Sequence, residues 1–240
     1  MYERLVERQA EEAASGKKRR GRKPKVVEPA PGEEAKANVS DPDSRIMKAR
    51  QGYVQGYNAQ AIVSQDQIII ATGVTQEAND VQQLKPMLDT LENTLEAAGI
   101  EDRPRSALAD AGYWSEANIT DCTCSEGPEL LIATTKDWKQ RKAARERGCP
   151  RGRIPKGLSL RELMERKLLT RRGQRIYRLR SITVEPVLGQ VKEGQGCRRF
   201  MRRGLAAAQS EWSLIGTTHN LLKLWRSGQA PWSCEEARWN

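Results

Sequence analysis

Asp110 ends a short apolar run in "LADAGYW", residues 108–114. On a strand buried on both faces, this carboxylate falls at the C-terminal end, the edge where open α/β sheets bind ligands. Ala111 and Gly112 leave space beside it, and Gly112 permits a sharp turn. From position alone, a cap for the following helix explains Asp110 better. Glu185 changes that balance. In "YRLRSITVEPVLGQVK", Tyr177 and Arg180 precede it and Lys192 follows seven residues later. Seven residues is about two helical turns, so Glu185 and Lys192 share a face. A carboxylate directed at a metal and a lysine directed at a phosphate would then serve one substrate. The plainer alternative is a solvated Glu and Lys on a surface.

The elements that must position these groups follow from pattern and composition. The chain has 240 residues with a formal charge of +10, and its mean hydropathy is −0.73. That length suits one sizeable core or two small ones. The charge favours polyanion partners, nucleic acid first and an acidic membrane second. With one Phe, five Tyr and six Trp, no large stacking surface for single strands is indicated. No apolar stretch approaches the length of a bilayer span, and the N-terminus lacks the apolar core of a secretion signal. A cytoplasmic location is therefore expected. The five Cys (122, 124, 149, 197, 234) are irregularly spaced and the single His219 is remote from them, which suits reduced structural thiols better than zinc.

Residues 1–15 read as a short charged helix, and 16–45 as a disordered basic linker rich in Lys, Arg, Pro, Gly and Glu. Within it, "KKRRGRKPK" places Arg20 and Arg22 in an Arg-Gly-Arg run followed by Pro, similar to an AT-hook core that lies in a narrow minor groove. A plain basic tether is the simpler reading. Structure is expected from about Tyr53, with 56–64 and 67–75 forming an antiparallel hairpin. A helix over 79–99 follows, capped by Asn79 or Asp80. Pro86 implies a kink or a start near Lys85. A strand over 105–112, a helix from Ser115 and a strand over 129–135 come next. Residues 136–180 hold 17 Lys/Arg against 4 Asp/Glu, a net of +13 in a basic insert that contains a helix over 159–170. Another helix is expected from 183, with Pro186 in its first turn. The last spans 210–226, its apolar side formed by Trp212, Leu214 or Ile215, Leu221 or Leu222, and Trp225. A core over 46–228 and a tail over 229–240 complete the division. The order is that of an α/β protein in which an antiparallel hairpin feeds a parallel element.

Six blocks carry a further resemblance: "DPDSRIMK", "GYVQGYNAQAIV", "VTQEANDVQQLKPMLD", "LADAGYWSEANI", "TVEPVLGQVKEGQGCRRFMRRGL" and "EWSLIGTTHNLLKL". In this order, over about residues 38–226, they resemble the core of bacterial insertion-sequence transposases of the DDE type. The resemblance implies an RNase H-like mixed sheet flanked by helices. It also implies three carboxylates holding two Mg²⁺ ions for attack on a DNA phosphodiester. The second family Asp falls on Asp110 and the family Glu on Glu185. Tyr177, Arg180 and Lys192 match the family's Tyr, Arg and Lys around that Glu, with one extra residue between Arg180 and Glu185. Mg²⁺ suits such hard oxygen ligands, completed by phosphate and water. Arg141, Lys142, Arg145 and Arg147 in the basic insert would hold the DNA backbone. The implied partners are double-stranded DNA at element ends and target, and the resemblance also allows a homodimer. The implied setting is the bacterial nucleoid.

The first family Asp belongs on a strand before the hairpin, where this sequence has its Pro-rich linker and no apolar strand before Tyr53. An N-terminally truncated copy is therefore expected. Asp41 and Asp43 are the local substitutes, although "SDPDSR" reads as a turn. The alternative to metal-dependent cleavage and strand transfer is a catalytically inactive DNA-binding remnant.

Overall fold

The run after Tyr57 is rich in branched and small apolar residues, and it folds as the expected antiparallel hairpin. In the computed structural model, β3 (Asn58–Val63) pairs with β4 (Ile69–Thr75), Asn58 facing Thr75. The turn between them closes through Ser64, whose backbone N–H reaches the Ile68 carbonyl at 2.8 Å and whose Oγ accepts the Ile68 N–H at 3.1 Å. Gln67 takes a left-handed φ of 63° there, a conformation that few non-glycine residues adopt. The structure describes residues 38–49, 52–122, 127–146 and 148–228. The expectations for residues 1–37 (Arg20 and Arg22 included), Arg147 and the tail over 229–240 lie outside the described residues.

A second hairpin precedes the first: β1 (Arg45–Ala49) and β2 (Gly52–Gly56). This corrects the expectation that no strand comes before Tyr53. The sequence hid it because β1 carries little apolar periodicity and the pair is largely exposed, Ile46, Tyr53 and Val54 included. The linker reading also ends earlier than 45. Asp41 and Asp43 sit in a turn in which the Ser44 N–H bonds the Asp41 carbonyl at 3.1 Å, as "SDPDSR" suggested.

Helix α1 (Leu84–Ala97) follows a 3₁₀ turn at Val81–Gln83, so Pro86 lies in its first turn without breaking a hydrogen bond. Its buried stripe of Leu84, Met87, Leu91 and Leu95 faces two cores. Met87, Leu91 and Leu95 pack with Ala71 of the hairpin. Leu84 packs with Ile119, Leu130, Ile132 and Met164. The second core belongs to β5 (Ser106–Ala109) and β6 (Glu129–Ile132), a parallel pair crossed over by α2 (Glu116–Cys122). The architecture is thus mixed α/β, with antiparallel and parallel strand pairs flanked by helices. Partly buried Cys122 and Cys197 pack against the cores.

The basic segment is helical, as expected: α3 (Trp138–Glu146), α4 (Leu160–Leu169) and α5 (Arg171–Gly189). A capping box at Ser159 and Glu162 starts α4. The reading of a helix that begins at 183 is corrected. Thr170 caps α5, which runs for 19 residues with Pro186 inside it, and the 180 boundary of the insert falls within that helix. Proline removes the donor for the carbonyl four residues back. That carbonyl belongs to Ile182, and the Gln67 side-chain amide donates to it at 2.7 Å. A π-helical turn, Gln190–Gly194, continues the chain.

Helix α6 (Leu205–Ser227) begins five residues earlier than expected, and its buried side differs. Trp212 and Ile215 are buried, whereas Leu214, Leu221, Leu222 and Trp225 are exposed. The reason is polar. Asn220 accepts the Ile69 N–H at 2.8 Å and donates to the Ile69 carbonyl at 2.7 Å, while Gln209 accepts the Val74 N–H at 2.7 Å. The helix therefore satisfies the free edge of β4 with amide side chains, and Gly216 allows the close approach, since a Cβ there would lie 3.2 Å from Thr72 Cγ2. No described helix is long and apolar enough to cross a membrane.

Glu129, at the start of β6, ties the parallel pair to the basic helices. It accepts from Arg172 at 2.6 Å and pairs with Lys167 at 3.1 Å. Arg172, with help from Lys167 and against partial burial, lowers the Glu129 pKa from 4.5 to about 2. A depressed carboxylate contributes its stability above the unfolded pKa and loses it as pH falls through the folded one. Urea unfolding should therefore show stability falling from about pH 4.5 toward pH 2, and Glu129→Gln should flatten that part of the profile. An identical acid limb in the variant would remove Glu129 from the linkage.

Candidate functional site

Asp110 stands where the apolar run predicts, one residue past the end of β5, with its side chain exposed. It does not cap the next helix. Ser115 does so, its Oγ accepting the Asn118 N–H at 3.0 Å. Asp110 instead turns on itself: Oδ1 accepts the Gly112 N–H at 2.7 Å. This local bond fixes one carboxylate oxygen at the strand end.

The residue opposite is one that sequence reasoning took for a helix cap. Asp80 makes no cap hydrogen bond to the turn at Val81–Gln83. Its Oδ1 accepts the Asn58 amide at 2.7 Å and the Gln60 amide at 2.8 Å. A Cβ added to Gly112 would lie 2.8 Å from Asp80 Oδ2 and 2.9 Å from Asp110 Oδ1. Both carboxylates thus crowd the position that a side chain at residue 112 would take, so glycine is the residue that fits there without a shift. Tyr113 lies alongside and donates its hydroxyl to Gln60 Oε1. Burial, then the charges of Asp80 and Asp110, push the Tyr113 phenol far above its ordinary range.

On the other flank, Tyr177 of α5 donates its hydroxyl to the Ala109 carbonyl at 3.1 Å, immediately before Asp110. Burial raises the Tyr177 pKa. Arg180 pulls it down, Asp110 pushes it up and Arg141 pulls it down. Arg180 then pairs with Glu185 at 3.0 Å. Tyr177 thus reaches the end of β5 at the Ala109 carbonyl, and Glu185 is held by Arg180 of the same helix. Glu185 itself is exposed and engaged by Arg180. Lys192 lies in the π-helical turn, so the two-turn α-helical spacing from Glu185 does not carry through to it.

Asp41 and Asp43 are occupied elsewhere. Asp41 Oδ1 accepts the Tyr57 hydroxyl at 2.6 Å and the Gly204 N–H at 3.1 Å, and Asp43 Oδ2 accepts the Leu205 N–H at 3.0 Å. They hold the start of α6, where a helix N-terminus favours negative charge. Burial, with Asp41 and Asp43, pushes the Tyr57 phenol up to about 12. Among the described residues, no group of three or more His, Cys, Asp or Glu side chains could hold a metal ion.

Arg141, Lys142 and Arg145 are exposed on α3, and Arg171, Arg172, Arg175 and Arg178 on α5. Of these, Arg171, Arg175 and Arg178 recur at three- and four-residue spacing and share a face.

The profile of the family described as Transposase DDE domain matches residues 15–221. No curated protein and no solved structure matches the chain.

Tyr177→Phe deletes the bond to the Ala109 carbonyl and keeps the ring. The expected cost is about 1 kcal/mol, the net worth of one partly buried hydrogen bond. It should appear as a lower urea midpoint with an unchanged slope. An unchanged midpoint would mean that the bond does not help seat α5 on β5.

Proposed function

Because the chain belongs to the Transposase DDE domain family, we propose that it binds double-stranded DNA as the core of an insertion-sequence transposase with an RNase H-like fold. The observation that carries this reading is the cationic run over 136–180, with 17 Lys/Arg against 4 Asp/Glu, presented on exposed faces of α3 and α5. Phosphates on a duplex are closely spaced and surrounded by condensed counterions. Each one neutralised by Lys or Arg releases some of them, which gives affinity without base readout. The charges of Arg141 and Arg180 lower the Tyr177 pKa, and Tyr177 bonds the carbonyl of Ala109, the residue before Asp110.

In this reading the chain holds DNA without cutting it. Glu185 is engaged by Arg180, and three acidic ligands do not converge among the described residues. A second reading, metal-dependent cleavage and strand transfer, is favoured by the bond from Tyr177 to the Ala109 carbonyl, which seats the helix that carries Arg180 and Glu185 at the strand end before Asp110. Divalent cations would there supply an activated water or 3′-hydroxyl and stabilise the leaving oxygen. Asp110 and Glu185 would be the ligands, with Arg180 turned from Glu185 to a DNA phosphate. Lys192 would contact a further phosphate.

The test is the salt dependence of binding to a labelled element end. Replacing Arg141, Lys142 and Arg145 together with Gln should weaken binding and make the plot of log K against log salt shallower, by up to about 2.7 if all three touch phosphate. An unchanged slope would take α3 off the DNA. Asp110→Asn and Glu185→Gln should bind DNA about as well as the parent. Mg²⁺-dependent nicking that either substitution abolishes would replace the binding reading with the enzymatic one.

A further inference from the structure

We infer that the β1–β2 hairpin enters the major groove of bound duplex DNA and turns Ile46, Lys48, Tyr53 and Gln55 toward the base edges. The inference deepens the DNA-binding reading and rests on it.

The hairpin is held at its base and open beyond it. At the base, Ser44 is buried, the Arg45 guanidinium donates to the Pro42 carbonyl at 2.7 Å, and the Tyr57 hydroxyl donates to Asp41 Oδ1 at 2.6 Å. Beyond the base, β1 and β2 pair with each other and with no other described strand. Ile46, Tyr53 and Val54 are 66%, 77% and 55% exposed. A two-stranded ribbon alone in water is marginally stable, so a partner that covers it adds to its stability. Its dimensions suit one groove. Paired strands lie about 4.8 Å apart. The major groove, about 12 Å wide, admits such a ribbon, and an undistorted minor groove, about 6 Å wide, is too narrow. Strands of five residues reach about 17 Å, against a groove depth of about 8.5 Å.

Register decides which face does the reading. Ile46 opposes Gln55 and Lys48 opposes Tyr53, so these four residues share one face. The other face carries Arg45, Met47, Ala49 and Val54, and Arg45 is held at the base by the Pro42 and Ser44 carbonyls. The first face has the chemistry of base edges. Glutamine matches the donor and acceptor of adenine, lysine the acceptors of guanine, and an apolar side chain the thymine methyl group. Charge favours the same partner. Between Asp43 and Asp66 the sequence carries Arg45, Lys48 and Arg50 and no acid, so the hairpin has no carboxylate to repel phosphate. The hairpin also starts from the end of the fold where Asp110 lies. Asn58, two residues after β2, donates to Asp80 Oδ1 at 2.7 Å, and Asp80 and Asp110 both approach Gly112.

The probe is a labelled element end in which 5-iododeoxyuridine replaces thymidine, bound to the full chain and irradiated. The iodine takes the place of the thymine methyl group, so it lies in the major groove and crosslinks to an aromatic ring beside it. Mass spectrometry should place a crosslink on Tyr53. Lys48→Ala combined with Gln55→Ala, both at exposed positions, should weaken binding of the same duplex at least tenfold with a thermal midpoint close to the parent's. Leu214→Ala, on the exposed side of α6, should bind as the parent does. Crosslinks confined to other residues, or parental affinity in the double variant, overturn the inference and leave the DNA reading standing. A parent that binds no duplex sinks the DNA reading itself, and the hairpin's role with it. Sedimentation without DNA tests the other occupant: a parent dimer that the double variant dissociates makes the hairpin a contact between copies and overturns the inference.

Discussion

The buried amide of Gln60 is the joint on which the rest of this fold turns. Its nitrogen donates to Asp80 Oδ1 and to Asn58 Oδ1, both at 2.8 Å, and its oxygen accepts the Tyr113 hydroxyl. Its backbone carbonyl accepts the Trp212 indole N–H at 2.7 Å. One residue of β3 therefore reaches the start of α1, the loop after β5 and the middle of α6. This matters because no backbone ladder joins the β3–β4 hairpin to the β5–β6 pair among the described strands. What holds the two together is the apolar stripe of α1, shared between their cores, and this polar network at the end nearest Asp110. Each member of such a network is costly to leave unmatched once buried, so the set acts as a unit.

Helix α6 solves a different problem with the same chemistry. A strand with an unpaired edge invites pairing with another chain. The edge of β4 is covered by a helix that offers amide and hydroxyl groups in place of a strand: Gln209 to Val74, Asn220 to Ile69, and Ser213 to the Thr72 hydroxyl at 3.0 Å. The helix must spend part of one face on polar residues to do this, which is why its apolar residues do not form a single stripe. Buried His219 belongs to the same seam, with Nε2 on the Gln67 carbonyl at 3.0 Å. Gln67 is held in its left-handed conformation from both sides, by α6 through His219 and Lys223 and by α5 through the Ile182 carbonyl.

These two features explain what was legible in the sequence. Elements that bury a regular apolar pattern could be read: the hairpin from the β-branched run at 67–75, α1 from its leucine spacing, and the β5 and β6 strands from short apolar runs. Ser115 was readable as a cap because a hydroxyl before a helix has few other uses. Contacts that depend on distant partners could not be read. Pro186 signals a helix start locally, and only Gln67, 119 residues earlier, makes it tolerable inside α5. Leu221, Leu222 and Trp225 continue an apolar pattern on α6 that the β4 edge does not use. Asp80 carries the local signature of a cap and is taken by Asn58 and Gln60 instead. The "GYNAQ" and "ND" stretches appear in the blocks that carry the family resemblance, yet nothing in their local pattern says that their polar residues meet.

The distribution of counter-charges separates the acids of this molecule by role. Arginine and lysine are abundant on α3, α4 and α5, and they are used where an acid has a structural task. Lys167 and Arg172 neutralise Glu129 where β6 meets the helices, and Arg180 neutralises Glu185 within α5. Among the described residues, the two acids at the β5 end receive neutral donors: two amides on Asp80 and one backbone N–H on Asp110. Neutral donors orient a carboxylate without cancelling its charge.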